Sequence, residues 1–418
     1  MSRLAIFLCR LPARLFSDFL ANSNRKASGV YASRSAFTVL SLVVFLDNLG
    51  FAVVLPYLYF YILALGGSAF LYGIILASYS LMSFIFTPIV ARLSDRYGRR
   101  IILIVALAVA SLAYFVFGLA NSIWVLFLGR MISGTTGATV PVAQAYVADV
   151  TAPNQRLRYL GIVSAVAAVA FVLGPAMGGI LSNLFGYAVP SFLVSALAFS
   201  NMILAYFLLP EPTSFNLKRT VLPFSALFNV LRKRKIALLL TIYFLFFMAF
   251  VFLQAVLSPW LKAVFGFGSL QTGLIFFYFG GVSALSQGVL LPSLNKRFDQ
   301  LTLVLLSIAV LTIGLLALAP FENLYYVLAI AGFIAFGFGI EFVTLNTLIS
   351  VNTPKEAQGG ALGVAWAIAG LAQTIAPVLA TTAYYLGKGI GFVGLVFVIS
   401  GAISATTVPF VLTFKKAD

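Results

Sequence analysis

Histidine is absent from the 418-residue sequence, and cysteine occurs once, at position 9. The usual zinc sites need several cysteine or histidine ligands, so the composition predicts no metal site and allows no intramolecular disulfide. The histidine-based nucleophile and base sets of hydrolases are also missing, and no lysine lies within an apolar run to replace them. A phosphate-binding loop of the form Gly-x-x-x-x-Gly-Lys-Ser/Thr is missing too, which disfavours an ATP-driven pump. We therefore expect neither an enzyme nor a bound cofactor.

Charged residues are also scarce. They make up 9% of the chain, against about 25% in an average soluble protein. Acidic residues number only ten, and without histidine any proton transfer falls to these carboxyl groups.

The chain instead consists largely of long apolar runs, and 62% of its residues are hydrophobic. A run of about 20 apolar residues can cross the hydrocarbon core as a helix, and backbone groups in lipid must be hydrogen-bonded within their own segment. The alternating pattern of a membrane β-barrel is missing. The sequence therefore predicts an all-α, multi-pass membrane protein with twelve transmembrane helices. These runs, numbered here as spans 1 to 12, cover residues 36–62, 70–91, 101–119, 123–148, 159–182, 188–209, 236–260, 270–294, 301–319, 324–350, 360–385 and 390–414.

The 26 lysines and arginines are distributed unevenly around these spans. If the N-terminus is cytoplasmic, 23 of them fall in cytoplasmic segments, whereas the outer loops hold only Lys262 and Lys388. This bias predicts that both termini are cytoplasmic. We expect the membrane to be a cell membrane, plasma or inner, although the charge bias itself does not distinguish it from an internal membrane. The net charge of +16 is then explained by topology and by contact with anionic lipids of the inner leaflet, not by nucleic-acid binding.

A polar interval divides the spans into two sets. Residues 210–235 form the longest polar stretch and predict a cytoplasmic linker between six-helix halves at 36–209 and 236–414. Residues 1–35 precede span 1 and carry apolar residues at helical spacing with interleaved arginines, which predicts an amphipathic helix on the membrane surface. Residues 415–418 form a short cytoplasmic tail.

The two halves also show a weak internal repeat. The basic turn at 91–100 has a degenerate counterpart at 291–300, about 200 residues later. Two six-helix repeats related by an axis along the membrane normal form a known transporter architecture, with the substrate site between them near the midplane. Such halves form a complete carrier as a monomer.

Three motifs carry a family resemblance. Residues 91–100 read Ala-Arg-Leu-Ser-Asp-Arg-Tyr-Gly-Arg-Arg and match the Gly-x-Leu-x-Asp-Arg-x-Gly-Arg-Arg loop of the major facilitator superfamily, except that alanine replaces the first glycine. Span 4 contains Gly-Arg-Met-Ile-Ser-Gly at 129–134, and span 5 contains Gly-Pro-Ala-Met-Gly-Gly at 174–179. With Asp47 in span 1, residues 36–414 most resemble the twelve-span drug:proton antiporter branch of that family.

The resemblance implies a cytoplasmic gate at the basic turn. Asp95 would face the N-terminus of span 11 near Gly359, because helix N-termini favour anions, and Arg99 or Arg100 would pair with Asp149. These contacts would hold the halves together when the cavity opens outward. The alternative is that the basic residues only fix topology. The second copy departs from the motif, so the first would carry most of the gating. The implied gate residues are Asp95, Arg96, Gly98, Arg99, Arg100 and Asp149.

The span 5 motif implies a hinge. Gly174, Gly178 and Gly179 allow close helix approach, and Pro175 removes a backbone hydrogen bond and bends the helix. The family reading is a bend and seal that limits uncoupled leak, and the alternative is tight packing alone.

Three charged residues lie well inside spans, where charge is costly and usually faces a cavity or a partner. Arg130 in span 4 is a candidate for proton coupling. The alternative is that its guanidinium group extends toward the outer surface or bonds to backbone carbonyl groups. Asp47 and Glu341 lie about 16 Å and 13 Å from the cytoplasmic ends of spans 1 and 10, one in each half. Burial and a nearby arginine shift a carboxyl pKa in opposite directions, so both acids are candidates for proton coupling. Each could instead be a structural buried acid, and Glu341 could meet a cationic substrate.

Polar and aromatic residues within spans are candidates for the substrate cavity. Gln144 is fourteen positions from Arg130 and would share its face of a continuous helix. Gln254 and Asn346 lie in otherwise apolar runs, where the alternative role is a hydrogen bond between helices. Tyr57 and Trp366 are among the aromatic residues that could line the cavity.

The sequence thus predicts a secondary transporter that works by alternating access and exports a small amphiphilic or cationic organic compound in exchange for protons. Two alternatives are open. A carrier with the same fold could move a metabolite, sugar or lipid by symport or facilitation, or the protein could be a non-transporting receptor or scaffold.

The predicted topology can be tested with the single cysteine. We expect a membrane-impermeant maleimide to label Cys9 only after the cells are permeabilised, because the N-terminal segment is cytoplasmic. In a Cys9→Ser background, Lys388→Cys should react in intact cells. Labelling of Cys9 in intact cells would show that the orientation is inverted.

Overall fold

The fold comes from a computed structural model that describes residues 34–151, 153–211, 234–320, 323–353 and 358–417. The predicted amphipathic helix within residues 1–35 and most of the predicted linker at 210–235 lie outside these ranges.

The described chain is helical, and twelve of its helical segments are long and apolar enough to cross a membrane, which confirms the predicted all-α fold and the positions of the spans. Span 4 consists of two helices, as does span 12, and span 8 contains a π-helical turn. In chain order the helices are Arg34–Ala64, Ala69–Tyr97, Arg99–Gly118, Ile123–Gly134 with Thr139–Val150, Pro153–Phe185, Ala188–Leu208, Arg234–Phe265, Ser269–Leu285 with the turn Ser286–Leu290 and Leu291–Leu294, Gln300–Leu318, Leu324–Val351, Gln358–Gly389, and Leu395–Ala405 with Thr407–Ala417.

The break in span 4 coincides with a cluster of threonines. Thr135, Thr136 and Thr139 each donate a side-chain hydrogen bond to the carbonyl oxygen three residues earlier. Threonine hydroxyls that bond to nearby backbone oxygens compete with the regular helix, and here the chain leaves it between residues 134 and 139. Span 4 therefore changes its helical phase in the middle of the membrane.

The helices form two bundles that meet along two seams. Within the bundles, span 1 packs on span 5 and span 3 on span 6, while span 7 packs on span 11 and span 9 on span 10. Between the bundles, span 2 packs on span 11 and span 5 packs on span 8. The side of the molecule that holds the turn between spans 2 and 3 is called the basic side below.

A glycine of each half lies against a proline carbonyl group of the other half. A Cβ atom on Gly73 of span 2 would lie 2.7 Å from the carbonyl oxygen of Pro377 in span 11. Gly273 of span 8 likewise packs on the carbonyl oxygen of Pro175 in span 5, and an added Cβ would lie 2.9 Å from the Cα atom of Gly179. The two glycines are 200 residues apart and the two prolines 202, so the seams are related by the internal repeat.

These crossings lie toward the side opposite the basic side. There the Ser182 hydroxyl of span 5 also donates a hydrogen bond of 2.8 Å to the Ser269 hydroxyl of span 8. Nearer the basic side, a Cβ atom added to Gly370 of span 11 would lie 3.6 Å from the ring of Phe84 in span 2. Still nearer, an added Cβ on Gly363 of span 11 or on Gly288 of span 8 meets no described atom within 4 Å. The halves therefore meet at one side and diverge toward the basic side.

The span 5 motif contacts two different helices. Gly174 and Gly178, one turn apart, pack on the backbone of span 1 at Ala52 and Val53. Pro175 and Gly179, also one turn apart, pack on span 8 at Gly273. The expected close packing is present, and the motif joins span 5 both to its own half and to the other half.

The contact at Gly178 leads to a stability prediction. A Cβ atom added to Gly178 would clash with the carbonyl oxygen of Val53, so Gly178→Ala must push spans 1 and 5 apart. We expect a loss of about 1–3 kcal/mol in the free energy of unfolding, measured in detergent. The matched control is Gly161→Ala in the same helix, where an added Cβ meets no described atom within 4 Å, so stability should be unchanged or slightly higher. Equal effects of both substitutions would contradict the packing argument.

Candidate functional site

Arg130 of span 4 is a buried charge without a conventional partner. Its side chain is 1% exposed, and none of its three guanidinium nitrogens has a hydrogen-bond partner among the described residues. The guanidinium carbon lies 5.1 Å from the ring centre of Tyr79 and 5.7 Å from that of Phe51. Arginine over aromatic faces is a favourable cation–π arrangement. The side chain is thus held inside the N-terminal half and does not reach toward the surface.

Asp47 lies one helical turn from Phe51, whose ring packs on this cation, but Asp47 does not form an ion pair with Arg130. Asp47 precedes Phe51 by one helical turn on span 1, and its carboxyl group faces the Thr139 hydroxyl of span 4. No Asp47 oxygen is within 4 Å of an Arg130 nitrogen in the described structure. Both charges act electrostatically on the hydroxyl groups of Tyr79 and Tyr114. The acid, the base and two tyrosines therefore form one polar group inside the N-terminal half.

Two cavity candidates have surroundings that the sequence did not indicate, and their role in a cavity stays a prediction. Gln144 is exposed, whereas Arg130 is buried, because the break in span 4 removes the continuous helical phase on which their shared face depended. Tyr57 is fully buried, and its hydroxyl is 2.7 Å from the Ser191 hydroxyl of span 6. It therefore packs inside the N-terminal half in this structure.

Glu341 is the buried acid of the other half. It is 1% exposed, and its Oε2 atom has no hydrogen-bond partner among the described residues. Spans 1 and 10, which hold Asp47 and Glu341, are not among the helix pairs that pack extensively on each other in the described structure. A buried charge without a partner is costly, so this carboxyl group is suited to binding a proton or a cation.

The polar candidates of the C-terminal half lie in spans 7 and 10. Asn346 donates its amide hydrogen to the Phe342 carbonyl group at 2.7 Å and accepts a long hydrogen bond, 3.5 Å, from the Tyr243 hydroxyl. Gln254 is half-buried. Asn346 therefore serves partly as the interhelical contact that was the alternative to a cavity role.

The basic turn forms a connected cluster at the end of the N-terminal half. Arg99 pairs with Asp95 at 2.5 Å and with Asp149 at 3.3 Å, so the expected contact between Arg99 and the end of span 4 is present. Arg99 also donates to the Ser94 hydroxyl at 2.5 Å, while Arg96 is exposed. In this structure Asp95 thus pairs within its own half. Residues 354–357, which lead into span 11, fall outside the described ranges.

Arg100 binds a different acid from the one that the sequence suggested. Its Nη2 donates to the Tyr206 carbonyl oxygen at 2.5 Å, and its backbone N–H donates to Glu211 Oε1 at 3.5 Å. Glu211 also packs on Gly98, whose φ of +104° is one that L side chains rarely adopt. The carboxylate thus caps the N-terminus of span 3, where the helix dipole favours an anion. The only signal in the sequence is its position just after span 6.

The degenerate second loop contains a cap of another kind. Asp299 accepts hydrogen bonds from the backbone N–H and the hydroxyl of Thr302, so it begins span 9 as an N-cap residue. The residue that departs from the motif therefore has a structural use of its own.

Comparisons with known proteins agree with this architecture. Residues 40–377 match the family model described as Major Facilitator Superfamily. The chain is 30% identical over 387 residues to the tetracycline resistance protein, class C, of Escherichia coli. The matched region covers 90% of this chain and 96% of that protein. The chain is also 27% identical over 382 residues to the quinolone resistance protein NorA of Staphylococcus aureus, covering 86% and 95% of the two chains.

Solved structures share the fold at lower identity. A bacterial homologue of the human lysosomal transporter Spinster, inward-facing and occupied, has a TM-score of 0.78 at 14% identity over 91% of this chain and 96% of that one. The human organic anion transporter MFSD10 (TETRAN) has a TM-score of 0.67 at 21% identity over 90% and 99%.

The cap at Glu211 leads to a pH prediction. Burial raises its pKa, and the backbone N–H groups of Arg100 and Arg99 oppose this shift only in part. A raised pKa means that the protonated form adds stability, which is fully present below the ordinary glutamate pKa and is lost as pH rises through the raised pKa. Compared with Glu211→Gln, the wild type should therefore gain thermal stability in detergent as pH falls from neutral into the mildly acid range.

Asp299→Asn provides a control with the opposite sign. The hydrogen bond from the Thr302 hydroxyl lowers the pKa of Asp299, so its contribution is present above the ordinary aspartate pKa and is lost as pH falls through the lowered one. The raised pKa assigned to Glu211 would be contradicted if the melting temperatures of the wild type and of Glu211→Gln changed in parallel with pH.

Proposed function

The chain belongs to the Major Facilitator Superfamily, and we propose that it is a drug exporter of that family, which moves a small amphiphilic or cationic organic compound out of the cell in exchange for protons. The observation that carries this proposal is the polar group in the N-terminal half. It combines an acid inside span 1, Asp47, with a buried guanidinium group of Arg130 that has no hydrogen bond to a described residue. The names of the relatives, resistance proteins for tetracycline and for quinolones, support a drug as the substrate.

Exchange of substrate for a proton requires a carboxyl group that loses its proton when substrate binds and regains it when substrate leaves. Asp47 meets this requirement, because it is half-buried on span 1 and can pair with Arg130 once it is ionised. In the present arrangement the two are not paired, which leaves the guanidinium group held by aromatic rings alone. Loss of the Asp47 proton would draw the two side chains together and so link protonation to the packing of spans 1 and 4.

Alternating access follows from the way in which the halves meet. The two glycine and proline crossings close the side opposite the basic side, and the halves diverge toward the basic side. If the basic side is cytoplasmic, this is the state that receives substrate from the cytoplasm. The ion pairs of Arg99 with Asp95 and Asp149 keep the gate residues within one half here. Arg99 is buried in this cluster, whereas Asp95 and Asp149 are partly exposed, so these ion pairs must be broken before the gate residues can exchange partners as the cavity reverses.

We further propose that the coupling ion is the proton, with no bound cofactor, and that both termini are cytoplasmic in a plasma or inner membrane. The protein would act as a monomer with its basic side on anionic lipids, and it would not bind nucleic acid.

Glu341 supports a second candidate function. A buried carboxyl group without a described partner in the C-terminal half could bind a proton that moves in the same direction as a metabolite, sugar or lipid. Inward accumulation of a substrate with protons would favour this symporter over the exporter.

Proton release on ligand addition tests the exporter. The detergent-solubilised protein in weak buffer is mixed with ethidium, tetrapentylammonium or a neutral amphiphile, and the pH change is recorded. We expect the wild type to release protons and Asp47→Asn to release none, because the ligand and the proton compete through Asp47. Asp299→Asn, which removes an exposed acid, should behave as the wild type. Binding without proton release, or equal release by Asp47→Asn, would disprove antiport through Asp47.

A further inference from the structure

Aromatic side chains form one continuous surface in the C-terminal half, called the aromatic wall here. Span 7 contributes a stripe at helical spacing, Tyr243, Phe247 and Phe250, with Phe246 beside it. Span 10 contributes Phe338 and Phe342, one turn apart. Span 11 contributes Trp366.

The rings of the wall are in direct contact. Phe338 stacks on Phe250 with ring centres 4.0 Å apart and on Phe246 at 5.2 Å. Phe342 continues the stack from Phe338 at 6.1 Å with nearly parallel planes. The rings of spans 7 and 10 therefore form a layer of rings rather than separate core residues.

Trp366 forms the end of this layer, and it is the exposed end. Its indole ring lies 6.0 Å from Phe342 and 6.3 Å from Phe247, with planes inclined by 68° and 57°. Both contacts are therefore edge-on or tilted, and the side chain is 53% exposed. Aromatic rings gain from offset stacking as well as edge contacts, so an indole with only edge-on or tilted neighbours can still accept a stacked ring.

The position of Trp366 on span 11 shows that this indole faces the cleft between the halves. Thr381, Pro377, Gly370 and Trp366 follow one another along one face of the helix, at spacings of four, seven and four residues. The first two contact Gly73 of span 2, and Gly370 lies opposite Phe84 of the same span. Trp366 is the next position toward the basic side, where the halves have diverged. It therefore lines the opening of the cleft.

We propose that Trp366 is a substrate-binding residue, on which a planar conjugated ring system stacks between the aromatic wall and span 2. This inference rests on the proposed export function and adds to it the class of substrate. The named residues of the wall carry no charge, and the one hydroxyl group among them, that of Tyr243, donates a hydrogen bond to Asn346. Recognition by the wall therefore depends on ring shape, whereas a charge on the ligand is met by Asp47 in the other half.

A pair of ligands separates ring shape from charge. Ethidium is a planar aromatic cation, and tetrapentylammonium is a lipophilic cation without rings. Ethidium binding is measured by fluorescence polarisation in detergent. We expect Trp366→Leu to weaken ethidium binding about tenfold, which corresponds to about 1.4 kcal/mol, and Trp366→Phe to retain most of the affinity. Proton release on addition of tetrapentylammonium should be unchanged in both variants.

Trp124→Leu is the matched control. This tryptophan is 76% exposed, but it lies at the start of span 4 on the side opposite the basic side, so its loss should not alter ethidium binding. Thermal unfolding of each variant shows whether it is folded as the wild type is.

The outcomes separate the two proposals. Unchanged ethidium affinity in Trp366→Leu, or no ethidium binding by the wild type, would overturn the role of Trp366 while leaving proton release intact. Loss of ethidium and tetrapentylammonium responses together, in a folded Trp366→Leu protein, would also overturn it, because the effect would not depend on ring shape. Failure of the export function is seen separately, as a wild type that releases no protons with either ligand.

Discussion

The cost of placing a charge in hydrocarbon governs the architecture of this protein. Twelve apolar helices exclude nearly all of the charged residues to their ends, where the basic turn, its acids and the helix caps form clusters. The few charges that remain inside then need a specific environment. Arg130 is held by aromatic rings, one of which is that of Phe51. Asp47 lies one helical turn before Phe51 and faces the hydroxyl group of Thr139. A proton-coupled transporter needs a buried charged group that can exchange one partner for another. Because charge is costly inside the membrane, each exchange of partner changes the free energy of the protein appreciably.

A second consequence is that the halves cannot be held together by charge within the membrane. They meet through small residues, where helix backbones approach closely and side chains do not interlock. Gly73 and Gly273 each lie on a proline carbonyl group of the other half. A proline lacks the N–H group that would bond to the carbonyl oxygen four residues earlier. Spans 5 and 11 therefore each lack one backbone hydrogen bond within about one turn of the contact between the halves. Close contact and local bending are both needed if the halves are to rock about this region.

Much of this could be predicted from the sequence, because the physics involved is local. Apolar run length determines the spans, and the pairing of Arg99 with Asp149 followed from a family motif. The failures have a different origin. The expected shared face of Gln144 and Arg130 assumed a regular helix, which three threonine hydroxyls interrupt. Tyr57 faces Ser191 of span 6 because of a tertiary contact that periodicity does not encode. Glu211 and Tyr79 were missed because one lies in a loop and the other in an aromatic-rich helix, and only the folded chain brings them to their partners.

The paired crossings also limit how this protein can be rearranged. At each seam a glycine of one half packs on a proline of the other half, so each seam depends on residues from both halves. A chimera that joined the first six helices of this chain to the last six of a homologue would keep both seams only if the homologue supplied a small residue and a bend at the matching depths. The two repeats are thus not interchangeable modules, and a change in one half at a seam would need a matching change in the other.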